Sequence, residues 1–374
     1  MRKRFEAARA ARQAGQRQQA MEGLAAVIGL AGDADEHVEA RMAARSELAL
    51  VHQELGDLRR ADVHLEQAVE AAERLVALSS EPRTAIALAS VLLNRASLLV
   101  QGRRPEPARR VAARVLDALA PLQDGSGPAL EIIRFGARLQ LGTAELLLGA
   151  TESGVTSLEE AFEHGVALVE GGQAALLPQT VETAARLGQG LRASGAGPRA
   201  LEVTERVARL AAANWEAGGP GALQLYGQAQ VLLIQALLAE GAFARAEDAL
   251  WRLVDGTGDG GALLTAADFY ADLWRRADAD LESGDLPRAE VGEAWRDVVV
   301  KVAERGASPV VAELVASRAA LWLDGDHDRV EAAISGAEGA DGADPALVQR
   351  LVQVLVSERS SVSASGGAGG GKTG

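Results

Sequence analysis

Apolar and polar positions follow helical spacing over residues 48–75, LALVHQELGDLRRADVHLEQAVEAAERL. Two apolar stripes run through this stretch, and Gly56 lies between them. A glycine at such a point can end a helix in the left-handed conformation, which costs other residues about 1–2 kcal/mol. Small residues at Ala61 and Ala68 would let the second helix lie close to the first. The pattern therefore predicts a helix, a tight turn and a second helix.

The same pattern recurs along the chain. Each copy has a glycine at its predicted turn, at intervals of 41 to 47 residues: Gly15, Gly56, Gly102, Gly149, Gly195, Gly241, Gly284 and Gly325. One copy is displaced, because the small residue expected five positions after Gly102 comes one residue late, at Ala108. A single hairpin cannot bury both of its faces, so neighbouring hairpins must stack. We predict an all-α array of about eight helix-turn-helix repeats over residues 1–359, capped by a helix at 345–359.

These residues resemble the tetratricopeptide repeat (TPR) family, in which small residues and a leucine recur at fixed positions and a glycine lies at the hairpin turn. The resemblance extends nearly to residue 344 and is best over 42–75, 135–168 and 181–214. The chain has no tryptophan or tyrosine at the repeat positions where the family usually has them. Its repeats are also longer than the usual length of about 34 residues. Long repeats of this kind look like those of kinesin light chain and of bacterial regulators. The resemblance implies a right-handed superhelical solenoid.

In the TPR family, the first helix of each hairpin lines a concave groove that binds a peptide or helix of a partner protein. The resemblance therefore implies a set of groove residues in this chain: Arg9, Arg12, Gln53, Gln189, Arg192, Gln235, Trp274, Asp278 and Trp322. We predict Trp274 and Trp322 as partner contacts, because tryptophan is enriched at binding hot spots. The alternative role for the five tryptophans is to fill gaps between helices. The Lys and Asn residues of the family's carboxylate clamp do not stand at these positions.

Composition and charge disfavour several classes of protein, including nucleic-acid binders, secreted proteins and membrane proteins. The chain has no cysteine, so it has neither disulfides nor a cysteine nucleophile, and a reducing cytoplasm is the expected location. Its formal net charge is −14, and residues 255–344 hold 20 acidic against 8 basic side chains, a local net charge of −12. This concentration of negative charge repels the phosphate backbone of DNA or RNA, which disfavours nucleic-acid binding. The basic start has no apolar region after it, and no 18 apolar residues run together, which disfavours secretion and membrane insertion. High Arg, Ala and Gly contents suggest a bacterial source.

Two short motifs carry candidate chemistry. Residues 366–373, GGAGGGKT, have the spacing of a phosphate-binding loop. Because no strand precedes this loop and no helix follows it, we interpret residues 360–374 as a flexible Gly/Ser-rich tail. Asp324, Asp326 and Asp328 begin like a calcium loop, but the glycine and the bidentate glutamate that such a loop needs are missing. This segment is predicted to be a hairpin turn.

The sequence thus predicts a non-catalytic scaffold that binds a peptide or helix of another protein, with no metal or cofactor. An Arg-containing or amphipathic segment would suit the acidic C-terminal half. One alternative is a regulator that senses a small ligand or peptide and acts through a separate effector. A second alternative, nucleotide binding, rests on the GGAGGGKT motif alone. The sequence predicts neither the partner nor the oligomeric state.

Overall fold

The computed structural model describes residues 1–32, 34–79, 81–122, 127–219, 221–258, 260–305, 307–337 and 343–366. Within these ranges the chain forms eighteen α-helices and no β-strand. The helices are α1 (Arg2–Gln13), α2 (Arg17–Ala31), α3 (Val38–Glu54), α4 (Leu58–Leu78), α5 (Pro82–Gln101), α6 (Pro105–Leu119), α7 (Pro128–Leu147), α8 (Thr151–Glu170), α9 (Leu177–Ala193), α10 (Gly197–Glu216), α11 (Ala222–Ala239), α12 (Phe243–Thr257), α13 (Gly260–Trp274), α14 (Asp278–Ser283), α15 (Arg288–Glu304), α16 (Pro309–Asp324), α17 (His327–Ala337) and α18 (Pro345–Gly366). The predicted all-α class is confirmed.

Consecutive helices form hairpins, whose first and second helices are called A and B below. Each B helix in the first half of the chain also contacts the A helix of the next hairpin, as α2 contacts α3 and α4 contacts α5. Ion pairs connect successive hairpins as well: Arg206 of α10 binds Glu163 of α8 at 2.7 Å, and Arg104, the residue before α6, binds Asp62 of α4 at 2.5 Å. The chain is therefore a TPR-like helical solenoid, as predicted.

The chain divides into two compact units, Met1–Asn214 (unit 1) and Trp215–Gly374 (unit 2). Unit 1 contains α1 to α9 and nearly all of α10, and unit 2 contains α11 to α18. By length and composition, α5 in unit 1 and α11 in unit 2 could each cross a membrane. Both pack as core helices instead, α5 against α4, α6 and α7, and α11 against α12.

Close packing within a hairpin depends on small residues. Ala61 is fully buried in α4, against α3. In the α7–α8 hairpin, a Cβ atom added to Gly142 would lie 2.7 Å from Cγ of Leu158 and 2.9 Å from the carbonyl oxygen of Gly154. A larger residue at such a position would force the two helices apart.

The hairpin turns share one backbone geometry. In the α3–α4 turn, Gly56 has a φ of 76°, and the amide of the next residue, Asp57, donates to the carbonyl oxygen of His52 at 2.9 Å. This bond satisfies a carbonyl that the helix end would otherwise leave unpaired. The Asp57 carboxylate then accepts a hydrogen bond from the Arg60 amide and caps α4.

Two turns differ from the prediction by one residue. Gly102 and Gly284 have φ values of −76° and −95°, and the left-handed residues are Arg103 (φ 52°) and Asp285 (φ 58°). The α5–α6 turn keeps the same hydrogen-bond pattern, because the amide of Arg104 donates to the carbonyl oxygen of Leu99 at 2.9 Å. Gly102 and Gly284 thus lie at their turns and end their helices as predicted, but the left-handed conformation expected at them is wrong, because the next residue adopts it.

The seventh hairpin has a broken A helix, which explains the helix count of eighteen. Helix α13 ends at Trp274, and α14 begins at Asp278 after an extended Ala277. Arg288 of α15 fixes the break, since its guanidinium donates to the carbonyl oxygen of Trp274 at 2.6 Å and to that of Arg276. These bonds satisfy carbonyls at the exposed end of α13.

The last helix packs on the eighth hairpin. Helix α18 contacts α16 and α17, and Leu355 lies buried in an apolar cluster with Leu314, Leu321 and Val330. The predicted capping helix is present, and it continues through Gly366 into the segment 360–374 that we predicted as a tail. The remaining residues of that segment, 367–374, lie outside the described residues, as does nearly all of the GGAGGGKT motif.

Candidate functional site

The predicted groove residues of unit 1 include two that connect successive A helices. Arg12 of α1 binds two carboxylates of α3, Glu47 at 2.9 Å and Glu54 at 2.7 Å. The Gln53 amide of α3 donates to the side-chain oxygen of Gln101 in α5 at 2.7 Å. Successive A helices therefore present one connected row of polar side chains, which we call the A-helix row.

The other predicted groove residues at A-helix positions are solvent-exposed. Arg9 lies on α1 and is 3.5 Å from Glu47. Gln189 and Arg192 are exposed on α9 in unit 1, and Gln235 is exposed on α11 in unit 2. Their accessibility suits partner binding, which remains a prediction for all of them.

Trp274 and Asp278 lie on either side of the helix break in unit 2. The Trp274 indole donates to the carbonyl oxygen of Trp322 at 2.8 Å, and the Arg288 guanidinium lies 4.9 Å from the centre of the Trp274 ring. Asp278 is exposed and pairs with the same Arg288. The polar atom of Trp274 is thus already bonded within the chain, and the ring is half-buried.

Trp322 belongs to a network of charged side chains. Its indole donates to Oε2 of Glu358 in α18 at 2.9 Å. Glu358 also accepts two hydrogen bonds from Arg318, at 2.9 and 2.7 Å, and one from Arg275 at 3.1 Å. Arg318 donates in turn to Asp268 of α13. The network therefore joins the A helices α13 and α16 to α18.

The Arg318–Glu358 pair is the most buried part of this network. Their side chains are 7% and 9% exposed, and the two hydrogen bonds form a bidentate contact. Burial by itself would raise the pKa of Glu358, but the hydrogen bonds and charge of Arg318, together with the Trp322 indole, bring the pKa below its usual value. Glu358 is therefore ionised at neutral pH. Removing Arg318 would leave the buried charge of Glu358 with the weaker contacts to Arg275 and Trp322 alone.

Our sequence reasoning did not identify Arg318, Glu358 or Asp268. One signal was available: Arg318 stands within LVASRAAL (residues 314–321), in which it is the one charged residue, so it is a candidate for burial. A buried arginine requires an acidic partner. The sequence does not indicate that this partner lies 40 residues later.

Two cavities border this network. The first has a volume of about 550 Å³ and lies between α13, the end of α15, α16 and α18. The second, of about 410 Å³, is lined mainly by α18 together with Arg275 and Arg318. Arg318, Arg350 and Val354 line both cavities, so the two share a wall.

The remaining tryptophans of unit 2 mainly fill the core. Trp295 is fully buried, and Trp215 stacks on Tyr226 with ring centres 4.7 Å apart. The Trp251 indole donates to the hydroxyl of Tyr270 at 3.0 Å, and that hydroxyl donates to Glu247. These contacts support the gap-filling role for Trp215, Trp251 and Trp295.

Unit 1 contains a stacked pair of histidines. His52 and His64 lie with ring centres 5.2 Å apart, and Arg45 approaches Nδ1 of His64 at 3.3 Å. Burial, followed by the charge of Arg45, lowers the pKa of His64 from 6.5 to about 4. His64 is therefore neutral at physiological pH.

The calcium-like segment forms the α16–α17 turn. Asp326 accepts a hydrogen bond from the Arg329 amide at 2.9 Å, and Arg296 lies 3.5 Å from Asp324. In the part of the chain that the structure describes, no group of three or more His, Asp or Glu side chains could hold a metal ion.

Comparison with known families and curated proteins identifies no function. A family of unknown function, DUF6483, matches residues 181–302, which is about a third of the chain. No curated protein matches the sequence. The matched segment spans parts of both units and does not assign the chain to a family of known activity.

The solved structures similar to this chain are TPR-like repeat proteins, as we predicted. A kinesin light chain from Podosopora anserina with TPR-like repeats is 21% identical and covers 57% of this chain and 96% of its own, with a TM-score of 0.42. A Rap protein complexed with Competence and Sporulation Factor is 16% identical, with a TM-score of 0.43. The match covers 86% of this chain and 77% of the Rap protein. A STAND ATPase with a TPR sensor from Pyrococcus horikoshii is 13% identical, with a TM-score of 0.48. The match covers 88% of this chain and 45% of the ATPase. At these identities the likeness concerns the fold alone.

Proposed function

We propose that this protein is a non-catalytic scaffold, and that the A helices of unit 1 bind a segment of a partner protein. The observation that supports this proposal is the A-helix row. Arg12 and Gln53 lie on adjacent A helices and take part in side-chain contacts between those helices. A partner segment that crosses successive A helices would meet one such position per repeat.

Exposed residues further along unit 1 extend this surface. Gln189 and Arg192 lie three positions apart on α9, so both side chains project from one side of that helix. Neither has an ion pair that would have to be broken before a partner could bind, among the contacts resolved for the described residues. They are therefore the residues at which a substitution tests partner binding with the least effect on folding.

The test compares an A-helix variant with a B-helix variant of equal charge change. The double variant Gln189→Ala, Arg192→Glu and the control Arg209→Glu on the exposed surface of α10 each alter the formal charge by two. Wild-type protein is used to capture partners from the source cells, and binding of each purified candidate is then measured by calorimetry. We expect the double variant to bind a true partner at least roughly tenfold more weakly, a loss of about 1.4 kcal/mol, while the control binds normally. Equal affinities for the three proteins would contradict the assignment to the A helices.

A second candidate function, sensing of a small ligand, is favoured by the first cavity in unit 2. Its volume of about 550 Å³ falls within the range of about 300–1,000 Å³ that is typical of ligand sites. A ligand there would touch α13, α16 and α18, so occupancy would stabilise the docking of the last helix. Amide hydrogen exchange of α18 with and without ligand would report this effect. A saturating ligand that leaves exchange in α18 unchanged would refute the coupling.

A further inference from the structure

The first cavity of unit 2 is mainly apolar. Aliphatic side chains from three helices form most of its wall: Leu263, Leu264, Val311, Val315, Leu347 and Val354. Leu264, Leu347 and Val354 are only half-buried, although they stand on the inner faces of their helices. Apolar side chains that line unfilled space gain free energy when an apolar ligand covers them.

The second cavity has the opposite character. Three arginines line it, Arg275, Arg318 and Arg350, together with a single carboxylate, Glu358. The lining itself carries a net charge of +2, which two neighbouring carboxylates offset: Asp268 lies 3.5 Å from Arg350, and Asp272 lies 3.2 Å from Arg275. The acidic C-terminal half, which suggested a cationic partner, thus contains a cluster of three arginines directly beside an apolar cavity.

The arginines differ in how firmly they are held. Arg318 makes its bidentate contact with Glu358 and is 7% exposed, so its guanidinium is fixed in place. Arg350 is 70% exposed, and its resolved ion pair is a long contact of 3.5 Å with Asp268. Arg350 lines both cavities and can turn toward a ligand at small cost, whereas Arg318 is held in its pair with Glu358.

We propose that the two cavities together bind a small amphiphilic anion, whose apolar body occupies the first cavity and whose carboxylate or phosphate head lies in the second. Arg350 would bind the head, because a guanidinium matches the geometry of both anions. The aliphatic wall of α13, α16 and α18 would cover the body. This assignment rests on the proposed ligand-sensing role and adds the ligand's chemical class.

Three ten-carbon probes with different heads test the proposal on the full chain: decanoate, 1-decanol and decyltrimethylammonium. Affinities are measured by calorimetry at concentrations below micelle formation. We expect decanoate to bind at least roughly tenfold more tightly than the other two probes, because only its head forms a charge-assisted hydrogen bond. Among variants, Arg350→Glu should weaken decanoate binding by at least about tenfold.

A matched control separates a site effect from a general charge effect. Arg296→Glu makes the same charge change on α15, at a side chain that is 58% exposed and also 3.5 Å from an aspartate. It lines neither cavity and should leave decanoate binding unchanged. Leu347→Gln, which places an amide in the apolar wall, should weaken all three probes together. Circular dichroism of each variant confirms that it is folded.

Each contrary outcome has a distinct meaning. If no probe binds the wild-type protein, the amphiphile site is refuted, whereas sensing of a ligand of another class is not. If the three probes bind equally and Leu347→Gln weakens all of them, the cavity binds ligands but the anionic class is refuted. If Arg350→Glu and Arg296→Glu have the same effect on decanoate, the head does not lie in the second cavity.

Discussion

Replacing Arg103 with glycine should stabilise unit 1. Arg103 holds a left-handed φ of 52° at the turn position that glycine occupies in the α3–α4 and α7–α8 hairpins. Its side chain is exposed, so the substitution removes little packing. The backbone hydrogen bonds of the turn come from the amides of Arg103 and Arg104, and glycine preserves them.

Two opposing terms set the size of this gain. The left-handed conformation costs a residue with a Cβ atom about 1–2 kcal/mol relative to glycine. Glycine itself loses more conformational entropy on folding, which reduces the gain in stability by about 0.5–1 kcal/mol. The net stabilisation should therefore be about 0.5–1 kcal/mol, or roughly 2 °C in the melting temperature of a unit of this size.

Urea unfolding followed by circular dichroism measures the gain, with two control variants. Arg103→Ala removes the same side chain but keeps the Cβ atom, so we expect no stabilisation from it. Gly149→Ala is the reverse change: the φ of Gly149 is 77°, and an added Cβ atom would meet nothing within 4 Å, so only backbone strain is introduced. The same two terms apply with the opposite sign, so it should destabilise by about 0.5–1 kcal/mol. The reasoning would be refuted if Arg103→Gly were no more stable than Arg103→Ala.

Three further predictions concern other sites. Asp285→Gly should also stabilise, but by less than Arg103→Gly, because aspartate tolerates the left-handed conformation better than arginine does; a thermal melt of both variants checks the order. Ala61→Leu should overpack the α3–α4 hairpin and cost roughly 1–3 kcal/mol in urea unfolding, and a neutral result would contradict the close contact at this fully buried alanine. The pKa of His64 falls from 6.5 to about 4 on folding, so the unfolded chain takes up the proton first and stability should drop as the pH decreases from about 6.5 to about 4. His64→Gln should flatten this pH dependence, and an unchanged slope would show that another group is responsible.

The sequence predicts the hairpins well because each one is encoded locally. Apolar spacing, a turn residue and a small residue five positions later all lie within one short stretch. At the displaced copy the same rule locates the turn correctly, since Ala108 comes five residues after Arg103 and not after Gly102. The rule fails at the seventh hairpin, where Ala289 comes five residues after Gly284 but the left-handed residue is Asp285.

Features that depend on tertiary contacts could not be predicted in this way. The break after Trp274 contains no glycine or proline, and Arg288 of another helix fixes it. The Arg318–Glu358 pair joins residues 40 positions apart. A cavity exists where side chains from several helices fail to meet, and that depends on packing in three dimensions rather than on any local pattern. Trp274 and Trp322 were predicted as groove residues, but their bonding within unit 2 was not.

The left-handed turn residues also define the length of the repeating module. Arg103, Gly149, Gly195 and Gly241 follow one another at a constant interval of 46 residues, whereas the glycines alone give an irregular series. An alignment of these modules anchored on the left-handed residue needs no gaps. Excising residues 103–148 would therefore join one turn to the next in the same phase and shorten the chain by one whole module. The modules between residues 103 and 241 are therefore equal in length and in turn register, although their sequences differ.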